Sequence, residues 1–162
     1  MEKKQFWKAL KSGHFASMVK ESSKGRCLSS SLHVFNVMKP MFADVDDIER
    51  MYCIFLDAKN RIIAIEKMFD GTILRAMIYP REIIKRVIAL KATALVLVHN
   101  HISGDPEPSQ EDKNLTMKMG IALLSVEVTL QDHIIVGDSY YSMADSGYIE
   151  SINERINNLI TG

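Results

Sequence analysis

Residues 92–112 read ATALVLVHNHISGDPEPSQED, and the fold is decided in this stretch. Ala92 to Val98 is a short, almost unbroken apolar run, the pattern of a strand covered on both faces. It passes directly into His99, Asn100 and His101. Residues 102–108 then hold two prolines and a glycine, which excludes regular structure and predicts a stiff loop at the end of a buried strand. Ser109 opens a helix predicted to run to about Leu124.

Working outward, the elements on either side supply the rest of a sheet and its cover. Upstream, Leu28, Leu32, Phe35 and Met38 recur at helical spacing, with Ser29 or Ser30 able to cap the start. Met51–Leu56 and Ile62–Ile65 flank the turn-forming residues Asp57 to Asn60 and predict a hairpin. After the Asp70–Gly71 turn, Thr72 to Tyr79 reads as a third strand. Pro80 suits a first helical position, and Ile83, Ile84, Val87, Ile88 and Leu90 share one face of a helix reaching about Lys91. Downstream, Val126–Leu130 and His133–Val136 read as two strands, followed by a short terminal helix from about Ile149. The sum is an α/β or α+β sheet of five or six strands with helices on its faces.

Composition narrows the class. A chain of 162 residues with 47% hydrophobic and 25% charged residues suits one core with terminal arms, and excludes overall disorder. Lysines and arginines balance acidic residues, twenty against twenty, which argues against a dedicated nucleic-acid binder while leaving room for a local basic patch. That patch is the start of the chain. Residues 1–26 carry seven Lys or Arg against two Glu, and the polar run Glu21 to Arg26 reads as a linker. The expected division is therefore a basic arm and linker over residues 1–27, a core domain over 28–150, and a tail or short helix over 151–162. The arm is expected to be dispensable for folding. No apolar stretch approaches the roughly 20 residues that span a bilayer, and the basic start lacks the apolar segment of a secretory signal. Two cysteines, Cys27 and Cys53, make neither a disulfide framework nor a paired zinc motif, so a cytoplasmic location is expected.

Residues two apart on a strand point the same way, so His99 and His101 can present both imidazoles to one point. The loop can return the chain so that Asp112, in the first turn of the next helix, adds a carboxylate oxygen. Two imidazoles and one carboxylate leave an open position on a zinc ion, the arrangement of a catalytic site. Plainer readings stand beside this one. Two histidines at a strand end can be rim polar residues, and Ser109 with Asp112 can be a capping box that satisfies free backbone N–H groups.

The residues His99-x-His101, seven residues, Ser109, two residues, Asp112 resemble the H-x-H-x7-S-x2-D signature of the JAMM (JAB/MPN) metalloprotease superfamily. Within it, residues 55–60 (FLDAKN), 79–82 (YPRE), 99–101 (HNH), Ser103 to Asp105, Pro108-Ser109 and 132–137 (DHIIVG) are similar to the RadC family. The resemblance spans about Leu28 to Ile149. It implies a mixed, mostly antiparallel central sheet flanked by helices, of the JAB/MPN, cytidine-deaminase-like architecture. It also implies a Zn2+ cofactor on His99, His101 and Asp112, and hydrolysis of a peptide or isopeptide bond in a protein or peptide substrate. Two departures stand out. RadC proteins carry a helix-hairpin-helix domain before this region, where this chain has its basic arm, and they have proline where this chain has Ile102, which is expected to loosen the loop.

The resemblance further implies a glutamate general base just before the first strand of the domain. Glu49 stands there, ahead of Met51–Leu56, and Glu66 is the competitor. Ser109 corresponds to the residue that hydrogen-bonds the attacking water or the developing oxyanion. His133 is expected to make a structural hydrogen bond, or else a contact behind the metal or with substrate; Ser103 and Asp105 have no assigned role. Two other functions remain open: a DNA-repair or mobile-element accessory protein, suggested by the RadC resemblance and the basic arm, and a metal-binding module without catalysis. A zinc deaminase is excluded because it needs a closely spaced cysteine pair.

Overall fold

The apolar run becomes β3 (Ala94–Asn100), and every one of its residues is buried because it lies at the middle of the sheet. The computed structural model describes residues 4, 5, 8, 12–43, 47–71 and 78–162. Among these residues one five-stranded sheet forms, in the order β2-β1-β3-β4-β5, with β1 (Arg50–Leu56), β2 (Ile62–Asp70), β4 (Thr129–Val136) and β5 (Tyr140–Ser142). The β1–β2 hairpin turns at Asp57, whose carboxylate accepts from the backbone N–H groups of Lys59 and Arg61. β1 is antiparallel to both β2 and β3, β4 is antiparallel to β5, and only β3 and β4 run parallel. A parallel pair needs a crossover, and α4 (Gln110–Leu124) provides it. The sheet is thus mixed and mostly antiparallel, and flanked by helices.

Alternation along the strands divides the core in two. Ile54, Val96, Val98 and Ile134 face α2 (Ser31–Met38) and the short 3-10 helix Lys39–Phe42. Cys53, Leu95, Leu97 and Ile135 face the other way, against α3 (Pro80–Ala89), α4 and the first residues of α5 (Tyr148–Thr161). His99 continues the series Leu95, Leu97 and so belongs to this second face. Ser30 caps α2 by accepting from His33 N–H at 3.1 Å.

Several expectations change. Val126 to Val128 is not a strand: it forms the turn after α4, and a single strand runs from Thr129 through His133 to Val136. β5, too short to carry a periodic pattern, was not foreseen. The third strand expected over Thr72 to Tyr79 falls mostly on residues 72–77, outside the described residues, and Ile78 and Tyr79 are not in a strand.

The linker expected over Glu21 to Arg26 is corrected as well. Glu21 to Ser23 close α1 (His14–Ser23), and Ala16 and Val19 pack on the first core face while Ser23 is buried. Gly25 N–H then donates to Ile62 O at 2.8 Å, Ile62 N–H to Arg26 O at 2.9 Å, and Cys27 bridges to Arg61. Hydrogen bonds to the hairpin bind this polar run, and composition does not reveal a backbone partner. At the other end, α5 is a full helix whose Ile149, Ile152 and Ile156 are buried at spacings of three and four.

Candidate metal centre

Three element ends meet at one edge of the sheet. β3 ends there with His99 and Asn100, the antiparallel β1 begins there, and α4 has its N-terminus there. The burial pattern of α4 fixes its rotation: Asp112, Thr116, Met119, Gly120 and Leu123 are its buried residues, a single helical stripe. Burying Thr116 and Met119 therefore turns Asp112 toward β3.

Asp112 does two jobs at once. Ser109 Oγ accepts from Asp112 N–H at 3.1 Å, and Asp112 Oδ2 accepts from Ser109 N–H at 2.8 Å, so the capping box is present. The same carboxylate also faces both imidazoles, with Oδ1 at 3.1 Å from His99 Nε2 and Oδ2 at 3.1 Å from His101 Nε2. Capping and ligation are compatible because a carboxylate offers about four lone-pair directions. One ligand atom from each of His99, His101 and Asp112 lies within 4.8 Å of the others.

The donor set fits a cation on an observation independent of spacing. His99 is fully buried, yet its Nε2 has no hydrogen-bond partner among the described residues, since the 3.1 Å contact to Asp112 Oδ1 is out of line for one. A buried polar atom left in this way calls for an explanation, and a cation between it and the carboxylate is one. His101 Nδ1 lies 2.8 Å from Asp105 O, and a carbonyl only accepts, so that nitrogen carries a proton and Nε2 is the one turned to the centre. Burial alone would raise the Asp112 carboxyl, but hydrogen bonds from His101 and the Ser109 N–H, with the nearby His99 imidazole, hold it well below the usual carboxylate range. His101 is raised in return, chiefly by its hydrogen bond to Asp112. A proton on His101 Nε2 and a cation at the centre would exclude one another.

The loop that carries His101 is held at several points despite Ile102 in place of proline. Gly104 N–H donates to His101 O at 3.2 Å, Glu107 N–H to Asp105 Oδ1 at 3.0 Å, and Asp138 N–H to Gly104 O at 2.8 Å. Gly137 is required here: a Cβ on it would stand 2.2 Å from Gly104 O. Gly104 has a φ of 82°, which also favours glycine. Beside His101 opens a cleft of about 330 Å³, whose walls include Lys39, Phe42, Ile102 and Asp138.

The two glutamates part company. Met51 pairs with His99, so Glu49 precedes β1 at the level of His101, and it raises the His101 imidazole electrostatically. Asn100 grips both of its neighbours: Asn100 Oδ1 accepts from Arg50 N–H at 2.7 Å and Asn100 Nδ2 donates to Ile48 O at 3.1 Å. Glu66 lies opposite Cys53, one strand further out, and makes two hydrogen bonds with Arg86 at 2.6 and 2.7 Å. Ser109 Oγ uses a lone pair on the Asp112 N–H, which leaves its hydroxyl proton for another acceptor.

Sequence reasoning gave no role to three of the neighbours. Asn100 lies inside the motif but has no signal of its own; Asp105 contributes a backbone carbonyl, which no side-chain pattern encodes. Thr116 did have a signal, because it stands four residues after Asp112 on the same helix face. His133 reaches the site through the parallel pairing of β4 with β3: its Nε2 lies 2.8 Å from His99 Nδ1, and burial pushes its imidazole well below the usual range.

Comparison with known proteins agrees with this geometry. A family model described as a RadC-like JAB domain matches residues 28–148. A UPF0758 protein of Thiobacillus denitrificans is 40% identical over 82% of this chain and 59% of its own length. UPF0758 proteins of Vibrio atlanticus and Azotobacter vinelandii are 42% and 50% identical, over 78% and 60% of this chain and 57% and 44% of theirs. The chain thus spans about half the length of these relatives.

Proposed function

The chain belongs to the family of RadC-like JAB domains, and from that premise we propose that it is a zinc-dependent hydrolase of a peptide or isopeptide bond. The observation that carries the reading is the unsatisfied, buried His99 Nε2 aimed, with His101 Nε2, at one ionised carboxylate. His99, His101 and Asp112 would hold the ion. When bound, zinc supplies Lewis acidity, polarising the scissile carbonyl and bringing the pKa of a water toward ~7.

The remaining work falls to side chains of this chain. Glu49 takes the proton of the attacking water on its carboxylate and returns it to the leaving amine. Its place just before β1, across from the His101 end of β3 and between the Arg50 N–H and Ile48 carbonyl that hydrogen-bond the Asn100 amide, supports this role over Glu66, which is engaged with Arg86. Ser109 donates its hydroxyl proton to the developing oxyanion. The cleft beside His101, with Lys39 and Phe42 on its wall, is the proposed approach for the substrate chain.

The test is a metal analysis joined to a peptide and isopeptide cleavage assay. We expect one zinc per chain, lost in the His99→Ala, His101→Ala double variant, and cleavage in the wild type. Glu49→Gln should keep the metal and lose about 10²- to 10⁴-fold in turnover, the usual worth of a general base. Normal turnover in Glu49→Gln with loss in Glu66→Gln would reverse the assignment of the base. Bound metal without cleavage of any substrate would favour the non-catalytic module.

A further inference from the structure

Two of the proposed ligands are joined behind the site by side chains that the proposed chemistry does not use. Thr116 Oγ1 lies 2.6 Å from the Asp112 carbonyl oxygen and 2.6 Å from His133 Nδ1. His133 Nε2 in turn lies 2.8 Å from His99 Nδ1. His99, Asp112, Thr116 and His133 are all buried.

The direction of every bond in this chain follows from one fixed point. A backbone carbonyl can only accept, so the single hydroxyl proton of Thr116 goes to Asp112 O. Thr116 Oγ1 must then accept from His133 Nδ1–H, because two lone pairs facing each other at 2.6 Å would repel. Burial disfavours a second proton on His133, so its Nε2 is bare and accepts from His99 Nδ1–H. His99 thus carries its proton on Nδ1, and its Nε2, facing Asp112 Oδ1, is the nitrogen left for a ligand. The opposite polarity would place a proton on His99 Nε2 and leave no proton in the 2.6 Å contact between Thr116 and the Asp112 carbonyl. Met143 Sδ, 3.2 Å from Thr116 Oγ1, is a weak acceptor and does not compete with that carbonyl.

We propose that Thr116 and His133 are positioning residues that hold His99 in its Nδ1–H tautomer and so keep Nε2 available as a ligand. The proposal rests on the metal-centre reading above and deepens it: the backbone of one ligand, Asp112, sets the tautomer of another, His99. A histidine in this place also differs from the carboxylate that often stands behind a metal-bound imidazole. It accepts the N–H without adding charge, so the carboxylate of Asp112 is the one negative charge among the three ligands.

The experiment uses the 162-residue chain labelled with 15N at histidine, at pH 8, with long-range proton–nitrogen correlation recorded without metal and with one equivalent of Zn2+. His99 and His133 should both be protonated on Nδ1 in each state. A His133 protonated on Nε2 would overturn the proposal whatever the metal does. The second arm measures Zn2+ affinity by competition with a chromophoric chelator. Thr116→Val and His133→Leu should weaken binding about 10- to 100-fold, while Thr116→Ser and His133→Gln, whose side chains can still accept and donate, should stay within about threefold. Equal loss in Thr116→Ser and Thr116→Val would mean a purely structural role and overturn it. If the apolar variants fail to fold, the wild-type tautomers decide alone. Wild-type protein with the expected tautomers but no zinc affinity would sink the metal centre and leave the polarity standing, so the two failures are distinguishable.

Discussion

At the scale of single residues, the proposed metal centre would be a competition between a proton and a cation. The Asp112 carboxyl is held well below the usual range, so it stays ionised across any working pH, whereas His101 is raised by its hydrogen bond to that carboxylate. Below the raised His101 pKa a bound metal would have to displace the proton of His101 Nε2. The sign follows: above the raised His101 pKa affinity is flat, and below it each pH unit of acid should cost about tenfold in Kd, one proton released per ion bound. Zinc titrations from pH 8 down to pH 5.5 check this, and an affinity that does not change over that range would be inconsistent with His101 as a ligand. Asn100 carries a second expectation at this scale. Its amide is buried and binds Arg50 N–H and Ile48 O on either side of Glu49. Asn100→Ala should cost about 1–3 kcal/mol of stability, from two backbone groups left unpaired, and lower turnover with little change in bound metal. Denaturant unfolding beside a metal count separates those two effects.

At the scale of elements, the sharpest revision concerns α1. A basic, polar arm gives no reason to expect docking, yet its apolar residues Ala16 and Val19 lie one turn apart and pack on the first core face, and Gly25 and Arg26 bond the hairpin at Ile62. Deleting residues 1–27 should therefore lower stability by about 2–3 kcal/mol, which for a chain of this size is a fall in midpoint of roughly 4–12 °C. An unchanged thermal transition would mean that this packing contributes nothing in solution. The strand and helix boundaries near the site were far more legible. β3, the loop after it and the start of α4 were all readable because each is marked locally, by an unbroken apolar run, by proline and glycine, and by a capping serine. The turn at Val126–Val128 was not, since three residues of alternating character read equally well as a strand start.

At the scale of the molecule, the proposed metal ligands sit at element ends while the two core faces lie along the sheet's length. Metal and fold are therefore separable. Chelation should leave the far-ultraviolet circular dichroism unchanged while lowering the unfolding midpoint, since an ion present at a hundred times its Kd adds about 2.7 kcal/mol. Collapse of the secondary structure on chelation would mean that the ion is structural. Among the described residues no helix is long and apolar enough to cross a membrane.

The sequence alone was enough to read a buried strand, a histidine pair on one of its faces, a stiff loop and a capped helix, because each is encoded within a few consecutive residues. It also carried the family resemblance, because motif spacing along the chain survives without coordinates. Which side chains stand behind the ligands was decided only in three dimensions. His133 reaches His99 through the parallel register of β4 on β3, Thr116 through the rotation of α4, and Glu49 approaches His101 through the antiparallel register of β1. Register and rotation are set by how whole faces pack against one another, and no local stretch of residues holds that information.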